Sequence, residues 1–176
     1  MIQALPDRLA APPRGFSLVE MMVVMMMATV VTLGIVVFYL SAQATWTDAS
    51  SQALAQRDAT SIVEALSARA HEAGRADVAP VGPGDPNSIV TFYPKGSSTE
   101  TIHFYWSATD SLVHSGDAGT YDSGPLTPTQ VERFSLSTVD SLGLVLLDSL
   151  RVRSANRQTV TLSSTFGLYN RVVATP

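Results

Sequence analysis

Apolar positions are spread unevenly along this chain, and their spacing changes character three times. Residues 21–40 form an uninterrupted apolar run with no charged side chain, and five of the six methionines sit in it, at Met21, Met22, Met25, Met26 and Met27. Wound as an α-helix at about 1.5 Å per residue, the run spans about 30 Å, the hydrocarbon thickness of a bilayer. It is longer than the apolar region of a secretory signal peptide, and no small-residue cleavage site follows it, so it reads as a membrane span. From residue 41 to 73 no proline intervenes, and Ala59, Ile62, Val63, Leu66, Ala70 and Ala73 recur at spacings of three and four. That pattern predicts an amphipathic helix, with Trp46, Ala49 and Ala53 carrying its stripe back toward the span and Gly74 capping its end. A continuous helix over 16–73 would measure about 85 Å.

Proline and glycine crowd residues 77–87, which therefore predict a loop leading into a sheet. Beyond it the period shortens to two. Strands are expected at 88–93 and 101–107, joined as a hairpin, then a return over 112–114, a surface loop over 115–128, and strands at 131–139, 143–147, 149–154 and 159–168. A long N-terminal helix followed by a mainly antiparallel β-sheet predicts an α+β fold. The 176 residues suffice for one domain with a core, and the formal charge of −4, with arginines scattered rather than clustered, predicts no nucleic-acid partner. With no cysteine, the fold has neither disulfides nor thiolate metal sites.

Composition leaves one residue unexplained. Glu20 stands at the head of the apolar run, and Phe16, Leu18 and Val19 extend the apolar stretch on its N-terminal side. An ionisable group at that depth costs roughly 2 to 3 kcal/mol unless it finds a partner. Cleavage between Gly15 and Phe16 would create an α-amine four residues away, about one helical turn. A carboxylate favoured by the positive end of the helix dipole is the simpler alternative.

The segment Arg14-Gly15-Phe16-Ser17-Leu18-Val19-Glu20, followed by an apolar helix, resembles the class III signal of type IV prepilins and type II secretion pseudopilins. The resemblance implies a pilin-like fold and a non-enzymatic filament subunit. It implies that an inner-membrane prepilin peptidase cuts after Gly15 and methylates the new N-terminal Phe16. It implies that Glu20 neutralises the N-terminal amine of a neighbouring subunit and so sets axial register. A buried charge pair of this kind acts more as a registry device than as a source of stability. The methionine cluster, the lack of a mid-span proline, with Gly34 as the one helix-weakening residue there, and the absence of a C-terminal cysteine pair lean toward a minor pilin or pseudopilin. The closing stretches around Arg151, Thr161 and Asn170 are similar to those of larger minor pseudopilins.

The expected organisation is a cleaved leader at 1–15, a transmembrane and filament-core helix at 16–40, the amphipathic half of the helix at 41–74, and an extracytoplasmic β-rich domain at 75–176. Arg8 and Arg14 precede the span and few positive charges follow it closely, which predicts a cytoplasmic N-terminus in the inner membrane. Expected partners are other pilin or pseudopilin subunits, the peptidase, an inner-membrane assembly platform and lipid. An uncleaved membrane-anchored domain, or a tip-located adhesin or DNA-uptake protein, is the alternative.

Motifs for catalysis are missing from the sequence. His71, His103 and His114 lack metal-pair spacing and are expected at the surface or on edges, and no G-x-S-x-G elbow, phosphate loop or dinucleotide fingerprint occurs. Asp110, Asp117 and Asp122 fall in one stretch where they could gather around calcium, but their spacing is not that of an EF-hand and solvated loop acids are the simpler reading. Neither a cofactor nor a metal ligand is expected.

Overall fold

The computed structural model describes residues 15–96, 102–117, 124–139 and 142–169. The expected leader lies outside the described residues except for Gly15. Among the described residues one helix, α1 (Leu18–Glu72), is followed by seven strands: β1 (Ala73–Pro80), β2 (Ser88–Pro94), β3 (Ile102–Ser107), β4 (Leu112–Asp117), β5 (Val131–Val139), β6 (Leu144–Arg153) and β7 (Thr159–Gly167). The architecture is α+β and pilin-like, a long N-terminal helix and then antiparallel sheets. Two compact units partition the chain, the first ending at Thr45 and the second comprising Trp46–Pro176.

In the second unit the strands form two antiparallel sheets, one of order β1-β2-β3-β4 and one of order β5-β6-β7. A single hydrophobic core joins them to the latter part of α1: Ala55, Ala59, Ile62, Leu66 and Ala70 are buried with Phe92, Phe104, Phe134, Leu147 and Leu150. The helical stripe is therefore real, but it starts at Ala55. Trp46, Ala49 and Ala53, expected to prolong it, are exposed. At 100° per residue they fall about 130° around the helix from the buried line, so no rotation places both sets on one face.

Three further expectations are corrected. Gly74 does not cap α1 in a left-handed conformation; the helix passes straight into β1, whose Ala73 and Ala76 are buried and which pairs with β2 from Ala73↔Pro94 to Pro80↔Ser88. Apolar alternation is weak in this strand, which reads AGRADVAP, and pairing with β2 fixes it where propensity does not. The expected strands 143–147 and 149–154 are one strand, β6, with register shifts between Leu147 and Leu150 in its pairing with β7 and between Ser135 and Leu136 in its pairing with β5. Such a bulge swaps which side faces inward, and this is why the alternation breaks at Asp148 and Ser149. The expected loop over 115–128 begins late, since β4 continues to Asp117.

Side chains stitch the two sheets together. The Phe134 N–H donates to Asn87 Oδ1 at 2.7 Å and the Leu136 N–H to Ser88 Oγ at 3.1 Å, all at buried positions. Trp106 Nε1 donates to the Val131 carbonyl at 2.7 Å, and the Val131 N–H donates to the Ser111 carbonyl at 2.7 Å. Thr129 donates to Asp58 and Asn156 to Asp48, tying the loops beside β5 and β7 to α1.

Candidate functional site: the N-terminal motif and the exposed apolar helix

Gly15 and Phe16 precede the helix in extended or irregular backbone. The first helical bond runs from the Met21 N–H to the Ser17 carbonyl at 3.1 Å, which makes Ser17 the N-cap and Glu20 the third residue of the helix. A serine at the cap and a glutamate three positions on match the capping-box pattern, in which the glutamate can satisfy an orphan amide at the helix start. Glu20 is the acidic residue of the first turn.

From Met21 to Leu40 the helix is exposed all round among the described residues. Phe16 is 77% exposed, Met26 70%, Val30 71% and Phe38 73%, and no residue of the segment is buried. A contiguous apolar surface of this size belongs against lipid or against another protein. The helix is long and apolar enough to cross a membrane by length and composition. Its few polar side chains are turned inward on the backbone: Thr29 Oγ1 donates to the Met25 carbonyl at 2.8 Å and Thr32 Oγ1 to the Ala28 carbonyl at 2.7 Å. Each hydroxyl is thus satisfied without water, as a hydrocarbon environment demands. A Cβ built on Gly34 would meet nothing within 4 Å.

The structure sends the other chemical candidates elsewhere. His71 is exposed and edge-on to Tyr169, but His103 and His114 are 1% and 8% exposed, not surface residues. Alternation along β3 and β4 puts both on the face opposite the core residues Phe104 and Val113, beside the Tyr105 ring, and His114 does lie on an edge strand, β4. Asp110 meets His114 rather than a cation: His114 Nε2 donates to Asp110 Oδ2 at 2.8 Å and the Leu112 N–H donates to Asp110 Oδ1 at 3.0 Å. Burial pushes the Asp110 carboxyl up, but the hydrogen bonds from His114, the Leu112 amide and Ser107 outweigh it and hold the group below its ordinary 3.8. Only the backbone of Asp117 is described, and Asp122 lies outside the described residues. Among the described residues no three histidines or acids converge on a point that would hold a metal ion. Sequence reasoning missed the Asp110–His114 clasp, whose one signal is an acid in a tight turn four residues before a histidine.

Comparison with known proteins adds one finding. Residues 13–36 match the prokaryotic N-terminal methylation motif, a signal typical of type IV pilins and pseudopilins. No curated protein and no solved structure matches the chain. The matched motif and the exposed apolar helix behind it are together similar to the N-terminal part of type IV pilin precursors, with a helix long and apolar enough to serve as a membrane anchor.

Proposed function

We propose that this chain is a minor pilin or pseudopilin that a prepilin peptidase cuts between Gly15 and Phe16, methylates at Phe16, and releases for assembly into a type IV pilus or a type II secretion pseudopilus. The observation that carries this reading is the unpartnered apolar surface of α1, headed by Glu20 and overlapping the methylation motif. A lipid-facing helix that later packs among others needs no internal partner, and the inward-turned hydroxyls of Thr29 and Thr32 suit both surroundings. Tyr39 and Trp46, both exposed, suit the polar boundary at the far end of the span. In this reading residues 1–15 are the leader, 16–40 the filament-core helix, 41–74 the helix half that joins the domain, and 75–176 the extracytoplasmic domain. The N-terminus faces the cytoplasm until cleavage. Glu20 then answers the Phe16 amine of a neighbouring subunit, and the subunit's role is structural.

Mass measurement of the protein purified from a host with an active prepilin peptidase tests this. The expected mature species begins at methylated Phe16; a protein retaining residues 1–15 under those conditions defeats the proposal and leaves an anchored domain.

A further inference from the structure

We propose that the free edge of β7 is a strand-addition site for an extended segment of a different subunit, one that alternates apolar and acidic residues. Both sheets have two edges, and three of the four are guarded. On β5 the Phe134 and Leu136 amides are taken by Asn87 and Ser88. On β4 the Leu126 N–H donates to the Val113 carbonyl at 2.9 Å and Pro125 bridges His114. β1 carries the Arg75–Asp77 ion pair at 2.6 Å and ends in Pro80. Charges and proline of this kind discourage pairing.

β7 has no such protection. It is the terminal strand of its sheet, and its nine residues, TVTLSSTFG, include no charge and no proline. Among the described residues no backbone or side-chain group bonds to its outer edge from beyond β6. A row of unpaired amides and carbonyls this long is a template for another strand.

The chemistry of the occupant follows from the two faces. On the inner face Val160 and Leu162 are only partly covered by the core, so apolar side chains on an added strand would complete their burial. On the outer face Arg151 lies opposite Thr161 and Arg153 opposite Thr159, while Arg133 lies opposite Arg151. Like charges directly across strands are unfavourable. Glu132 lies 3.6 Å from Arg153, and Asp148, further along β6, accepts from Ser137. Two strand spacings, about 10 Å, separate β6 from a strand added beside β7. Extended arginine and glutamate side chains together bridge that gap over the short Thr159 and Thr161. An acidic strand therefore relieves the arginine row, whereas a second copy of β7 brings no acid to it.

Amide hydrogen exchange on the full chain in detergent micelles tests this with two synthetic peptides matched in length to β7, one alternating valine with glutamate and one alternating valine with lysine. The glutamate peptide is expected to slow exchange of the outward amides of β7 by about tenfold or more, and the lysine peptide to leave them unchanged. In an Arg151→Glu, Arg153→Glu variant the preference reverses, with unaltered protection in β5 as the check on folding. Unchanged β7 exchange with the glutamate peptide, or equal protection by both peptides, overturns the proposal. So does protection already present in the free protein, whether it is lost on removing residues 170–176, which marks the chain's own tail as occupant, or rises with protein concentration, which marks a second copy. None of these readouts depends on leader cleavage.

Discussion

At the N-terminus the proposed registry charge and a helix-capping role fall on one carboxylate. Glu20 as third residue behind the Ser17 cap can stabilise its own helix, and as a charge at the membrane boundary it can answer another subunit's amine. The substitution Glu20→Gln separates them, because glutamine serves a capping box as well as glutamate does but carries no charge. Cleavage and helix content should be retained while incorporation into filaments falls severalfold, measured by immunoblot of sheared filaments; wild-type incorporation would remove the charge role and leave the cap. Ser17→Ala should show the opposite pattern, a loss of about 1 kcal/mol of helix stability with the registry charge intact. Asp110 offers a residue-scale test within the domain. Its carboxyl is held below the ordinary 3.8 in the folded state, so the stabilisation it gives is fully present above that value and disappears as pH falls through the lower folded one. Asp110→Ala should therefore lower the unfolding free energy near neutral pH, by a modest amount because the carboxylate is partly exposed and screened by solvent. That gap should narrow as pH falls from 3.8 through the lower folded value, where the wild-type carboxyl also becomes neutral, as denaturant titrations across pH would show.

The elements differ in what holds them. In α1 the stripe from Ala55 to Ala70 is sealed against both sheets, and Leu66 is 0% exposed. Leu66→Ala should destabilise the domain by about 2 to 5 kcal/mol in thermal or denaturant unfolding, while Ala53→Leu on the open side should change it by less than about 0.5 kcal/mol. Asn87 is a different kind of hinge point. Asn87→Ala would strand the buried Phe134 amide at a loss of about 1 to 3 kcal/mol. These elements also show what the sequence made legible. The boundaries of β5 and the β2–β3 hairpin could be read because β-branched and aromatic residues alternate there between turn residues. β1 could not, because its signal is a partner strand rather than a pattern, and AGRADVAP resembles a helix end running into a loop. The split of β6 was misread for a related reason: a bulge resets the alternation without breaking the strand. Ala49 and Ala53 give no sign of their face because small residues fit any face of a helix, and the apolar Trp46 misleads because it is 75% exposed within the chain; only the core decides which face is inner. At the candidate site the order was reversed. The motif around Glu20 was plain in the sequence, because its meaning lies in local order, whereas the Asp110–His114 clasp and the guarded sheet edges depend on pairings between distant segments.

At the scale of the whole molecule, two environments are written into a single chain. Every buried apolar side chain among the described residues lies at Ala55 or beyond, and the apolar surface from Phe16 to Leu40 contributes none. The buried core among the described residues therefore lies wholly within the second unit. A chain starting at Trp46, the first residue of the second unit, keeps the whole buried stripe of α1, the Asn156–Asp48 and Thr129–Asp58 ties and all seven strands. Such a truncation should be water-soluble, should unfold cooperatively on heating, and should show the β-rich circular dichroism that the sheets require. The full chain should instead float with lipid vesicles and stay there at high salt, because burial of about twenty apolar helical residues in hydrocarbon is insensitive to ionic strength. Aggregation or non-cooperative melting of the truncated chain would mean that residues 15–45 support the domain's core. Release of the full chain by salt would mean that charge, not the apolar run, holds it to the bilayer.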